Sequence, residues 1–135
     1  YSFDGITTQF VIARYTASGT LDGTFGTGGI TQTLIGSACK AESIDIQPDG
    51  SIVVAGYAIV SGAQVFAVAR YTTAGTLDAT FGSGGIVTTS IQNGAFAQSV
   101  LVQSNGQIVA GGASISDFAT QFALARYGIT GTLDA

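Results

Sequence analysis

The chain has 135 residues, a net charge of −4 and only 9% charged residues, against roughly 25% in an ordinary soluble domain. It holds no His, no Met and a single Cys, Cys39. Those counts exclude an imidazole base, a Ser-His-Asp triad, a His or Cys zinc site and an internal disulfide.

Taken in order, the chain opens towards a strand around Ala13-Arg14-Tyr15. A Gly/Thr-rich loop follows, with Gly19-Thr20-Leu21-Asp22 and Phe25-Gly26, and Gly28-Gly29-Ile30 leads into the next strand. Ser43-Ile44-Asp45-Ile46-Gln47 alternates apolar and polar residues, as a half-buried strand does. Pro48-Asp49-Gly50 is a turn, with Pro fixing φ and Gly taking the position that needs φ > 0. Ser51 to Ala58 is an almost wholly apolar strand in which Gly56 marks a bulge or a close backbone approach. Val65 to Tyr71 carries Phe66, Val68 and Arg70 on one face and Ala67, Ala69 and Tyr71 on the other, so both faces are expected to be covered. The loop Thr72 to Gly84 then leads to a strand over Gly85 to Ile91, and Ser104-Asn105-Gly106 is a second hairpin turn. No stretch shows a sustained helical period, so the chain reads as all-β.

The elements recur. Ala13-Arg14-Tyr15 returns as Ala69-Arg70-Tyr71 and as Ala125-Arg126-Tyr127, each 56 residues on. Laying residues 1–56 on 57–112 without a gap gives 25 identities, and residues 113–135 match 57–79 at 12 of 23 positions. Four antiparallel strands in a repeat of this length describe a four-stranded β-meander blade of the β-propeller type. In this frame residues 1–42 are a partial repeat, the last two strands of a blade with a connecting loop. Residues 43–98 are a complete repeat, and residues 99–135 carry the first three strands of a blade. A ring needs about four blades. The chain therefore reads as a piece of a larger repeat array, or as a protomer whose blades join those of its neighbours.

The run "ARYTTAGTLDATFGSGG" with the upstream "QPDGSIVVAGYA" resembles the delta-60 repeat family of bacterial proteins, across essentially the whole chain. The second turn departs from that pattern, with Ser104-Asn105 for Pro-Asp. The resemblance implies long tandem arrays, secreted or attached to the bacterial cell surface, and brings no established activity.

Three of the four cations occupy one repeated frame. Arg14, Arg70 and Arg126 share a strand face with apolar residues, where a cation needs a partner. The acid eight residues later, Asp22, Asp78 or Asp134, is the expected one, as a brace within or between blades. The same Asp could instead cap the backbone of its turn, and a ligand-binding role repeated in each blade is a third possibility. Lys40 is left as the one cation free at the surface. Glu42, Asp45 and Asp49 faintly suggest a calcium loop, but the second copy offers Leu101 and Asn105, and a hairpin turn accounts for the pattern. Cys39 becomes Ala95 in the next copy and reads as a small packing residue, with a reactive thiol as the alternative.

No acid pair is placed for glycoside hydrolysis, and no catalytic residue, metal or cofactor is expected. The four cations make no basic patch, so nucleic acid is not an expected partner. The longest apolar run, Ile52 to Val60, is too short to span a bilayer. The expected role is a structural or assembly module of a secreted or surface protein or filament, with neighbouring repeats of the same or an identical chain as partners. The alternative is a module presenting loops to a glycan or protein, with Tyr1, Phe3, Tyr57, Phe96 and Phe118 as contact residues. Exposure of those aromatics would favour binding, and burial would favour the scaffold.

Overall fold

The computed structural model describes residues 7–134. Among these residues nine strands form three antiparallel sheets: β1 (Phe10–Ala13) with β2 (Ile30–Thr33); β3 (Ala38–Ile46), β4 (Ile52–Val60), β5 (Ala63–Tyr71) and β6 (Ile86–Thr89); and β7 (Gly94–Val102), β8 (Ile108–Ile115) and β9 (Thr120–Tyr127). Every strand pairs with its neighbour in sequence, so each sheet is a meander of the propeller-blade type. The all-β reading therefore holds. β3 begins at Ala38, ahead of the alternating run that opens at Ser43, and β7 begins at Gly94, ahead of the expected repeat boundary at residue 99.

Turn chemistry sets the register. At the β3–β4 hairpin Gly50 adopts a φ of 86°, and the Asp49 carboxylate accepts the Ser51 N–H at 2.8 Å. In the next copy Gly106 has a φ of 84°, and the Asn105 side-chain oxygen accepts the Gln107 N–H at 3.1 Å. The change from Asp to Asn keeps the acceptor that the turn needs. Between β4 and β5 a two-residue turn, Ser61-Gly62, takes positive φ at both positions, as a type I′ hairpin demands.

Gly56 lies opposite a bulge. The β3–β4 register passes from Ala41–Gly56 directly to Ser43–Ala55, leaving Glu42 as the extra residue. A Cβ on Gly56 would collide with the Lys40 carbonyl oxygen, and one on Gly112, its repeat equivalent, with that of Phe96. The bulge and the glycine are one device, used twice.

The core forms in two layers between sheets. β4 sends Ile52, Val54 and Ala58 to the first sheet and Val53 and Ala55 to the third. β5 divides likewise, with Val65, Ala67, Ala69 and Tyr71 on one side and Phe66 and Val68 on the other. Burial on both faces explains the nearly continuous apolar runs.

β3 runs against its alternating pattern. Ile44 and Ile46 are exposed, while Ser43 and Asp45 point at β7. Ser43 Oγ accepts the Val100 N–H at 3.1 Å and Asp45 Oδ2 accepts the Val102 N–H at 2.7 Å. These bonds satisfy donors on the edge strand of the third sheet. Val100, the repeat equivalent of Ile44, is buried against the middle sheet.

Gly56→Ala is expected to destabilise the protein by about 1–3 kcal/mol, because the methyl must displace backbone rather than a side chain. Thermal or urea melting followed by circular dichroism measures this. An unchanged midpoint would show that the bulge does not need the glycine.

Candidate functional site: a guanidinium clamp between blades

Arg70 enters its site from β5, on the same face as Phe66 and Val68. Its charge has to be met there by fixed acceptors, and the next 60 residues supply them. Nε donates to Asp78 Oδ2 at 2.8 Å, and Nη2 donates to Thr80 Oγ1 at 3.0 Å. Nη1 donates to the carbonyl oxygen of Ile129, in the loop after β9, at 2.6 Å. The guanidinium carbon lies 4.8 Å from the centre of the buried Phe81 ring. Two hydrogen bonds and a cation–π contact thus lie within one blade, and one hydrogen bond reaches the next. Only a planar fork of donors fits such an arrangement, which Lys cannot reproduce.

Arg14 repeats it, with Nε on Asp22 Oδ2 at 2.9 Å, Nη2 on Thr24 Oγ1 at 3.0 Å and Nη1 on the Thr73 carbonyl at 2.6 Å. Its carbon lies 4.7 Å from the Phe25 ring centre. Arg126 meets Asp134 Oδ2 at 2.6 Å, and Gln107 Nε2 donates to the same oxygen. The structure thus brings together all three Arg–Asp pairs read from the sequence. They differ in burial: the Arg70 side chain is 9% exposed, that of Arg126 51%.

Brace and turn cap are the same residue. While Oδ2 of Asp78 takes Arg70, Oδ1 accepts the Thr80 N–H at 3.0 Å and the Thr80 hydroxyl at 2.6 Å. Thr80 and then Arg70 hold the Asp78 carboxyl below its ordinary value of 3.8. Asp22 is lowered in the same way by Thr24 and Arg14. The N–H of Ser51 lowers Asp49.

Two further contacts cross each junction. Gly26 N–H donates to the Ala74 carbonyl and Gly82 N–H to the Thr130 carbonyl, both at 2.8 Å. Tyr71 Oη donates to Thr33 Oγ1 at 2.8 Å, and Tyr127 Oη lies 2.7 Å from Thr89 Oγ1. Burial pushes both phenols above their usual range. Sequence reading missed this Tyr–Thr contact. Its signal was available, since Tyr71/Tyr127 and Thr33/Thr89 are both 56 apart.

Arg70, Asp78 and Thr80 also line an open cleft of about 550 Å³ between the hairpin turns at Pro48-Asp49 and Ser104-Asn105-Gly106. Gln47, which borders it, has a buried Oε1 with no donor among the described residues, and Gln103 repeats this. Among the described residues no three Asp, Glu or Cys side chains gather as a metal site. Cys39 is buried, its Sγ accepting the Ile35 N–H at 3.3 Å. Lys40 is not free: Nζ pairs with Glu42 at 2.9 Å, an ion pair that raises the Lys40 pKa.

Of the proposed contact aromatics, Tyr57 and Phe96 are half-buried and Phe118 stands almost fully exposed at the β8–β9 turn. Tyr1 and Phe3 lie outside the described residues. The sequence reading did not single out Phe122, which is fully exposed on β9.

The profile of a β-propeller family described as a domain of unknown function (DUF5122) matches residues 1–25, 47–81 and 103–135. The chain belongs to this family. Each matched segment of the DUF5122 β-propeller contains one complete Arg–Asp pair. No curated protein matches the chain. Among the described residues no helix is long and apolar enough to cross a membrane.

Arg70→Ala is expected to cost about 2–3 kcal/mol, the scale for hydrogen bonds to a charged group. Arg126→Ala should cost under about 1 kcal/mol, as for an exposed pair. Equal melting of Arg70→Ala and wild type would remove the clamp from the account of stability. The lowered Asp78 pKa adds a pH dependence. A carboxylate with a depressed native pKa stabilises the fold above its unfolded value, and the contribution is lost as pH falls through the native one. Melting temperature is therefore expected to drop as pH falls below about 3.8, and Asp78→Asn should make that acid limb shallower. An acid limb identical to wild type would contradict the assignment.

Proposed function

We propose that this DUF5122 β-propeller chain is a non-catalytic structural module, a stretch of tandem blades whose surfaces are made to meet further blades. The observation that carries the reading is the clamp, built with the same donors and acceptors at both junctions, Arg14 to Thr73 and Arg70 to Ile129. Its charges are occupied in holding blades together. The carboxylates of Asp22, Asp49 and Asp78 all sit below their ordinary range, which suits fixed acceptors and not a proton donor at neutral pH.

The finer assignment is to the delta-60 repeat kind, in a bacterial secreted or surface protein or filament. The A-R-Y strand, the G-T-L-D loop and the Q-P-D-G turn support it, together with a surface built from Thr, Ser, Gln and Asn. A second reading, a module binding a glycan or protein, is favoured by one observation. Phe118 stands 96% exposed at a turn tip held by Ser116 and Ala119, where an aromatic face could stack on a ligand.

Melting the protein with millimolar glucose, galactose, N-acetylglucosamine and their oligosaccharides separates the two. The scaffold reading expects no shift. A saturable rise that Phe118→Ala abolishes would replace it with the binding reading. Antibody labelling of intact cells of the source organism should stain without permeabilisation, and staining only after permeabilisation would overturn the surface assignment.

A further inference from the structure

The chain has two asparagines, Asn93 and Asn105, and glycine follows both. In that pair the backbone nitrogen after the asparagine is unhindered, because glycine carries no side chain. It can therefore reach the side-chain amide carbon, Cγ. The structure places the two pairs differently. Gly94 is buried and opens β7, in register with Ile115. Asn105 is exposed in the turn between β7 and β8, and an exposed turn opens more readily than a paired strand.

Three contacts oppose the attack while the turn is closed. The Gly106 N–H donates to the Gln103 carbonyl at 2.9 Å, so the nucleophile is engaged. Asn105 Oδ1 accepts the Gln107 N–H at 3.1 Å, and Asn105 Nδ2 donates to Gln107 Oε1 at 2.8 Å. Gln107 thus grips the amide at both ends, and its own Nε2 is anchored on Asp134 Oδ2 at 3.0 Å. The first repeat shows what the turn accepts in place of Asn105. Asp49 stands there, with its Oδ1 on the Ser51 N–H at 2.8 Å. Asn93 offers no such precedent. Its Nδ2 donates to Asp117 Oδ1, so an aspartate at 93 would set two carboxylates against each other.

We propose that Asn105 is the site at which the folded chain deamidates itself, and that Gln107 slows the reaction. The Gly106 nitrogen gives its proton to solvent and bonds to Cγ of Asn105. The Cγ–Nδ2 bond breaks, and ammonia leaves with a proton from water. Water then opens the five-membered succinimide. Cleavage of the bond from the Gly106 nitrogen to Cγ gives aspartate. Cleavage of its bond to the main-chain carbon of residue 105 gives isoaspartate, which lengthens the backbone by one atom in the turn that sets the β7–β8 register. The aspartate keeps the turn's acceptor and loses only the bond from Nδ2 to Gln107. It also adds a negative charge to the cleft that Asn105 shares with Asp49 and Arg70.

The test is incubation at mildly alkaline pH, folded and in urea, with both asparagines followed by tandem mass spectrometry of peptides. Isoaspartyl methyltransferase scores the isoaspartate. In the folded protein Asn105 should convert before Asn93, at a rate at least about tenfold below its rate in urea, as for a reaction that waits on local opening. Gln107→Ala should raise the folded rate at Asn105 by about threefold or more, the scale of one lost hydrogen bond, and leave the rate in urea unchanged. Asn93 is the internal control, because general loosening of the fold would speed both sites. Asn105→Asp, which stands for the product, should melt within about 3 °C of wild type, as a surface change does, and Asn93→Asp should melt lower. Conversion of Asn93 first, or equal folded and unfolded rates at Asn105, would overturn the proposal. So would a Gln107→Ala protein that leaves Asn105 unchanged or speeds both sites alike. An Asn105→Asp protein that melts below Asn93→Asp would show that the fold rejects the product, with the same result.

Discussion

The arrangement depends on one requirement, that a guanidinium taken out of water must keep its hydrogen bonds. Arg70 is nearly buried, and an unpaired buried cation would cost several kcal/mol. The chain meets the requirement with an Asp and a Thr from its own loop and a carbonyl from the next blade. Because one acceptor belongs to the neighbour, satisfying the charge fixes where the neighbour sits. Hydrophobic burial between Phe66, Val68 and the facing alanines drives the sheets together without choosing a lateral position. Arg70 chooses it. In a chain with so few charges, spending cations on registration leaves little for long-range electrostatics.

Much of this was legible in the sequence. The period of 56 needs only residue identities, and the Arg–Asp pairing follows from an acid at a fixed offset from a cation on an apolar face. The doubly covered β5 was readable because both of its faces are apolar. What was not legible lies between repeats. The bonds from Arg14 to Thr73 and from Arg70 to Ile129 go to backbone oxygens, and every residue has one. Orientation of β3 was also hidden. Alternation reports two faces but not which one turns inward, and edge donors on β7 reversed the usual preference by taking Ser43 and Asp45. The Lys40–Glu42 pair joins residues two apart on β3, whose side chains a strand places on one face, so this contact was open to sequence reading and was missed.

Differences between copies separate chemical constraints from steric ones. Asp49 becomes Asn105 and the turn keeps its acceptor, so that position demands an oxygen and not a charge. Thr31 donates to the Gly75 carbonyl, while Val87 in the same place leaves the Gly131 carbonyl without that donor and packs close to the glycine instead. That hydrogen bond is therefore dispensable where the Gly82–Thr130 bond and the clamp persist. Gly36 becomes Gln92 with positive φ retained, so the turn geometry outweighs the modest cost of a side chain in the left-handed region. The Arg, the Asp and the Thr of the clamp do not vary between the first two copies, which is the pattern expected if the guanidinium sets the junction.

A junction that is the same at every step makes stability additive along the chain, with each blade contributing its own folding energy and each interface a nearest-neighbour term. One consequence follows for how such a molecule behaves. A defect at one clamp weakens two adjacent blades and is felt less beyond them, so local opening is confined. Such a defect would matter most at Arg70, whose side chain is 9% exposed against 34% for Arg14 and 51% for Arg126, because the partners it leaves are the least accessible to water.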